Sequence, residues 1–241
     1  MGLQVIRVVN GIVDFAVLIV IVLVIAFAAY AIWDVQQIYR EADKSNYTVY
    51  KPTAENEGKT FQELQLLNSE VIAWLTVYGT NIDYPVTQGR NNLKYVNTNA
   101  EGQHSISGAI FLDFQNSSDF SDFNSILFGH HMEKQKMFGD IGSFAEKNMF
   151  DTHKYGNLYY GDKDHGIVFF AFVNCDAYDK SVFTPNIMGS EVQQIYLDGL
   201  LEKAMHRKDL GITIEDRIIL LSTCSTDSTN GRDILIGKIT D

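Results

Sequence analysis

The chain has 241 residues, 46% of them apolar, and its 30 acidic against 19 basic side chains leave a formal charge of −11. That length can bury a core, and an acidic surface repels the phosphate backbone that supplies most nucleic-acid affinity, which argues against nucleic acid as a partner. With only three prolines and no low-complexity tract or internal repeat, long disordered linkers and solenoid architectures are also excluded.

Residues 15–33, FAVLIVIVLVIAFAAYAIW, contain no charge and no proline, and a helix needs about 20 such residues to cross the hydrocarbon core of a bilayer. Residues 12–33 are therefore expected to form a transmembrane anchor. A cleaved signal peptide is the competing reading, because Ala26-Phe27-Ala28 and Ala29-Tyr30-Ala31 fit a small-x-small cleavage site. Signal cores run only about 7–15 residues, so length favours the anchor. Arg7 precedes the span and Asp34 follows it, which by the positive-inside rule places residues 1–11 in the cytoplasm and the remainder outside. Asp14, Arg40 and Lys44 narrow that asymmetry. Met1-Gly2 does not mark a myristoylation site, since position 6 is Ile rather than Ser or Thr.

Residues 34–60 are polar, mixed in charge and interrupted by Pro52, so a helical extension and then a stalk are expected there, with a folded domain over 61–241. Phe61, Leu64, Leu67 and Val71 recur at helical spacing and predict an amphipathic helix packed on that domain. Short apolar runs at 71–77, 109–114, 125–129, 167–173, 217–223 and 232–239, separated by Gly, Asn, Asp and Ser, predict strands. Several are apolar at every position, the pattern of strands covered on both faces. One helix interrupts them, with Val192, Ile195, Tyr196 and Leu200 on one face and its end near His206-Arg207-Lys208. The expected fold is a mainly β barrel with peripheral helices.

Two cysteines are present, Cys175 and Cys224, in no CxxC pair and at no zinc-ligand spacing with histidine. No metal site is expected. A Cys175–Cys224 disulfide is one reading, although a domain of this size does not need one. The sharper reading concerns Cys224, which ends an apolar strand and would be presented at the rim of the sheet. A free thiol at its ordinary pKa of about 8.5 is mostly protonated at neutral pH, so chemistry there needs a base or a cation nearby. His130 and His131 follow the strand at 125–129, and Arg232 opens the strand after Cys224 beyond the polar loop 225–231. Consecutive strands joined by one loop are usually neighbours, which brings Arg232 to Cys224.

With these residues placed, the sequence resembles the class B sortases. LSTC at 221–224 is similar to the family's TLxTC signature, with Leu220 where Thr is usual. NSILFGHHM at 124–132, continuing through MFGDIGSF at 137–144, resembles the stretch around the family's catalytic histidine, and GRDILIGKI at 231–239 resembles the strand with its catalytic arginine. WLTVYGTNIDYPVTQ at 74–88 and SISGAIFLDFQN at 105–116 are similar to the earlier strands. The likeness spans 61–241 and implies an eight-stranded sortase barrel with N-terminal helices and a helix before the cysteine strand.

The resemblance implies Cys224 as nucleophile, His130 as general acid and base, and Arg232 as the group holding substrate and oxyanion, with His131 at a variable position. Leu221, Ser222 and Thr223 are candidate substrate contacts, and no cofactor is implied. The implied reaction is transpeptidation at an LPxTG-like C-terminal sorting signal of a surface or pilin protein. Its thioacyl intermediate is resolved by a cell-wall amine or a pilin lysine, on the outer face of a Gram-positive membrane. An exported cysteine peptidase acting on cell-wall peptides is the alternative, but papain-like enzymes place Cys before His and begin a helix at the Cys. A non-catalytic tethered binding domain is a third reading, with Cys224 structural.

Overall fold

The computed structural model describes residues 2–53, 55, 59–225 and 229–240, and the chain divides into two compact units, Met1–Arg40 and Glu41–Asp241. The first unit is nearly all of helix α1 (Gly2–Glu41), which is long and apolar enough to cross a membrane, with none of its apolar window buried.

In the second unit, two 3-10 turns at Lys44–Asn46 and Thr48–Tyr50 lead to helix α2 (Lys59–Leu67). Ala42 and Tyr47, within the segment expected as a stalk, are buried in this unit's core. Helix α2 buries Phe61 and Leu64 but leaves Leu67 exposed, and Val71 opens the first strand instead of extending the helical face. Asn68 ends the helix there. Its buried amide donates to Tyr95 Oη and to Ala100 O, both at 3.0 Å, which turns the chain.

The remaining elements, in chain order, are β1 (Val71–Val77), β2 (Asp83–Thr87), β3 (Ile110–Leu112), β4 (Asn124–Phe128), β5 (His131–Met132), β6 (Lys136–Met137), α3 (Lys147–Thr152), β7 (Tyr155–Tyr160), β8 (Lys163–Asp176), α4 (Ser190–Lys203), β9 (His206–Arg207), β10 (Ile218–Cys224) and β11 (Gly231–Thr240). Eight strands follow the order β11-β10-β4-β3-β2-β1-β7-β8, and pairing of β8 with β11 closes them into a barrel. The pairs β4–β10 and β2–β3 are parallel and the others antiparallel. Strand β9 pairs with β8 at Ala171 and Phe172, and β5 with β6 makes a separate hairpin.

The all-apolar strands are explained by two cores. Ile219, Leu221, Leu235 and Leu127 join a cluster drawn from all eight barrel strands, which fills the interior. Their neighbours Ile218, Leu220, Ile234, Ile236 and Ile126 face outward into a second cluster, covered by Tyr196, Leu197 and Leu200 of α4. A strand buried on both faces carries no polar alternation.

Three further details depart from the sequence expectation. The covered face of α4 contains Tyr196 and Leu200, but Val192 and Ile195 are exposed. Residues 206–207 are strand rather than the helix end, because Met205 and Lys208 donate their amides to Phe172 O and Phe170 O on the free edge of β8. Barrel strands β2 and β7 are absent from the six expected runs; in β7, Gly156 and Asn157 break the apolar pattern. A Cβ on Gly156 would lie 2.7 Å from Thr76 O, so close strand pairing requires glycine.

Candidate active site

The site forms where β4 and β10 end and β11 begins, on the outer face of the barrel. Cys224, the last residue of β10, pairs directly with Arg232, and Arg232 pairs on its other side with Cys175 of β8. Directly paired residues share a face, so the three side chains form a row continuing the outward positions of Ile218, Leu220, Ile234 and Val173. Cys224 is exposed and Cys175 partly buried, and both are free thiols. The disulfide alternative does not fit: one strand separates the two cysteines, about 10 Å at the usual interstrand spacing, and a bridge requires Cα atoms within about 7 Å. Burial, and then the carboxylate of Asp179, pushes the Cys175 thiol up to about 11. Of the loop expected at 225–231, residues 226–228 lie outside the described residues.

His130 follows β4 directly, and that strand end is locked to β10. Gly129 N–H donates to Ser222 O at 3.2 Å, and Thr223 Oγ1 donates to Gly129 O at 2.9 Å. A Cβ on Gly129 would lie 2.7 Å from the Phe138 ring, so only glycine allows this approach. The His130 ring is oriented by Val96 O, 2.8 Å from Nε2. A carbonyl can only accept, so Nε2 carries the proton and Nδ1 is the basic nitrogen of the neutral ring.

His130, Cys224 and Arg232 line one cavity of about 360 Å³ with Asn92, Val96, Phe111, Phe128, Gly129, Ser222 and Thr223. His131 opens elsewhere, onto a cavity of about 370 Å³ that includes Asn174 and Asp233. Its Nδ1 is buried with no hydrogen-bond partner among the described residues. Adjacent positions thus serve opposite sides of the chain, as extended backbone requires.

Of the candidate substrate contacts, Ser222 and Thr223 line the cavity, and the buried Ser222 Oγ has no partner among the described residues. Leu221 does not line the cavity: it is 0% exposed and belongs to the barrel interior, because strand alternation turns it away from Ser222. Arg232 Nη1 donates to Gly231 O at 2.9 Å, which folds the guanidinium back along β11.

Sequence reasoning did not find Asn92, Val96, Phe111 or Phe128 as cavity residues. Val96 acts through its backbone carbonyl, which leaves no side-chain signature. Asn92 is spent on shape, donating to Asp113 Oδ2 at 2.7 Å and accepting from Phe114 N–H at 3.0 Å. A thiol, an imidazole with one basic nitrogen and a guanidinium around a single cavity are the groups that acyl transfer needs: a nucleophile, a proton carrier and a cation for a developing oxyanion.

No family model matches the chain. It is 30% identical over 203 residues to sortase B of Listeria monocytogenes, covering 81% of each chain. Among solved structures, sortase B from the type II pilus of Streptococcus pneumoniae is similar at 48% identity and TM-score 0.67, covering 75% of this chain and 98% of that one. A Streptococcus pyogenes class B sortase involved in pilus biogenesis is similar at 38% identity and TM-score 0.69, covering 76% and 99%.

Proposed function

Because the chain belongs to the class B sortases, a family of cysteine transpeptidases, we propose that Cys224, His130 and Arg232 are its catalytic residues and that its substrate is a protein with an LPxTG-like C-terminal sorting signal. The observation that carries this reading is the cavity into which three chemically complementary residues converge from positions 130, 224 and 232. Nδ1 of His130 takes the proton of the Cys224 thiol, the resulting thiolate attacks the scissile carbonyl, and the oxyanion forms beside the Arg232 guanidinium. The C–N bond then breaks as His130, through Nδ1, gives a proton to the leaving amine. An incoming amine attacks the thioester, its proton passes to His130, and Cys224 is released with a new amide formed.

For the acceptor we favour a pilin lysine over a cell-wall amine, because the two structures similar at 48% and 38% identity come from pilus systems. Helix α1 would hold the enzyme at the membrane, with its N-terminus in the cytoplasm and the barrel outside.

The test is mass spectrometry of the purified protein with a panel of sorting peptides, with and without a pilin-type lysine or a wall-type amine. A thioacyl adduct on Cys224 and an amide product in the presence of amine are expected. His130→Ala and Arg232→Ala are each expected to lower both by at least about 100-fold, the usual scale for a proton carrier or an oxyanion donor. Rapid hydrolysis indifferent to every amine would instead favour the cysteine peptidase reading.

A further inference from the structure

His130 is held by two pieces of chain. One is the hairpin β5–β6 that follows it, where Phe138 N–H donates to His130 O at 3.0 Å. The other is the connection between β2 and β3, whose Val96 O meets the ring Nε2. Both pieces are tied to the same short stretch, the residues at the end of α1 and just after it. Lys136 of the hairpin forms an ion pair with Asp43. Met137 N–H donates at 3.2 Å to Tyr84 Oη, which itself donates at 2.9 Å to Ala42 O. On the other side, Ser105 Oγ donates to Glu41 Oε2 at 2.7 Å, while Ser105 N–H donates to Asn97 O at 3.1 Å, one residue beyond Val96.

The hairpin needs such outside support. Lys134, Gln135 and Met137 have φ of 57°, 58° and 51°, a left-handed conformation that residues with a Cβ seldom adopt unless their surroundings impose it. Asp43 is itself fixed, since Oδ1 accepts from Ser45 N–H at 2.9 Å and caps the turn that follows. The hydrogen bond from Lys136 is the main reason its carboxyl is lowered to about 2.

We propose that Asp43 and Glu41 are positioning residues: through Lys136 and Ser105 they clamp the two pieces of chain that hold His130, so that the segment entering the barrel unit sets the histidine against Cys224. The inference rests on the catalytic role proposed for His130, but its physical claim concerns where the ring sits and can be read without turnover.

The test uses the full chain in detergent micelles and the variants Asp43→Ala, Lys136→Met and the exchange Asp43→Lys with Lys136→Asp. Side-chain NMR of ¹⁵N-histidine-labelled protein reports the Nε2–H of His130 on Val96 O, and kinetics with a sorting peptide report kcat and KM separately. Each single variant is expected to shift or broaden the His130 Nε2 signal and to lower kcat about 10- to 100-fold, the scale of a small misplacement of a reacting group. KM is expected to hold, because Asp43 and Lys136 do not line the substrate cavity, and the exchange is expected to restore both readings. Unchanged His130 signals in both single variants would overturn the proposal, as would a kcat loss that only follows a lower melting temperature. If the wild-type chain does not transpeptidate, the proposed function fails, and the NMR signals still decide the positioning claim.

Discussion

The two cysteines belong to one row of side chains but sit in different settings. They flank Arg232 in a single row, yet Cys224 is exposed at a strand end while Cys175 is tucked toward the second core. With its thiol pushed from 9.0 to about 11, Cys175 is almost entirely protonated near pH 8. A thiol-directed reagent at that pH is therefore expected to modify Cys224 first, as peptide mapping can show. Cys224→Ala is expected to abolish cleavage and transfer, and Cys175→Ser to leave activity near wild type. A dead but folded Cys175→Ser protein would contradict this division. Asp43 gives a pH prediction of opposite sign. Its carboxyl lies below its ordinary value of 3.8, so the stability from its bond to Lys136 is present above about pH 3.8 and is lost as pH falls through about 2. The Asp43 carboxyl carbon, followed by NMR, is expected to titrate near pH 2.

Among elements, the junction of β4 with β10 is the most constrained. Thr223 is 2% exposed and its hydroxyl bonds to Gly129 O. Thr223→Val leaves that carbonyl without its donor and is expected to cost about 1–3 kcal/mol by chemical denaturation. Gly129→Ala forces the Phe138 ring to move, with an expected cost of about 1–3 kcal/mol from overpacking, together with displacement of the adjacent His130. Helix α4 offers a cleaner contrast, because its sequence permits two apolar faces and the barrel covers only one. Leu200 is 0% and Ile195 66% exposed, so Leu200→Ala is expected to cost about 2–5 kcal/mol and Ile195→Ala less than about 0.5. Similar losses at both positions would mean that the assigned face is wrong.

At the scale of the molecule, the barrel unit begins at Glu41 and its core at Ala42. Chains starting at residue 41 and at residue 51 are therefore expected to behave differently. The longer keeps the buried Ala42 and Tyr47, the Ala42 bond to Tyr84 and the Asp43 bond to Lys136. Losing a buried aromatic ring alone costs on the order of 2 kcal/mol. In a domain of this size each kcal/mol moves Tm by about 2–4 °C, so the shorter chain is expected to melt at least about 4 °C lower by calorimetry. Equal melting temperatures would show that the segment contributes nothing to the barrel's stability.

The sequence by itself determined the features that repeat along the chain or sit beside their partners. The apolar stretch at 15–33 could only be one long helix, and the six apolar runs all became strands, because burial on both faces writes a continuous signal. Cys224 and Arg232 were legible as neighbours because a single loop joins their strands. The sequence likeness to class B sortases further indicated the barrel and singled out His130. Tertiary structure alone decided which side of each element is covered: Leu221 inward and Ser222 toward the cavity, and on α4 Leu200 under cover and Ile195 exposed. A helix or strand with apolar residues on two faces carries no mark of which face meets the core until its neighbours arrive. The same holds for Val96 O on His130 and for Asp43 on Lys136. A backbone carbonyl has no residue type to recognise, and partners 34 and 93 residues apart meet only when the barrel closes.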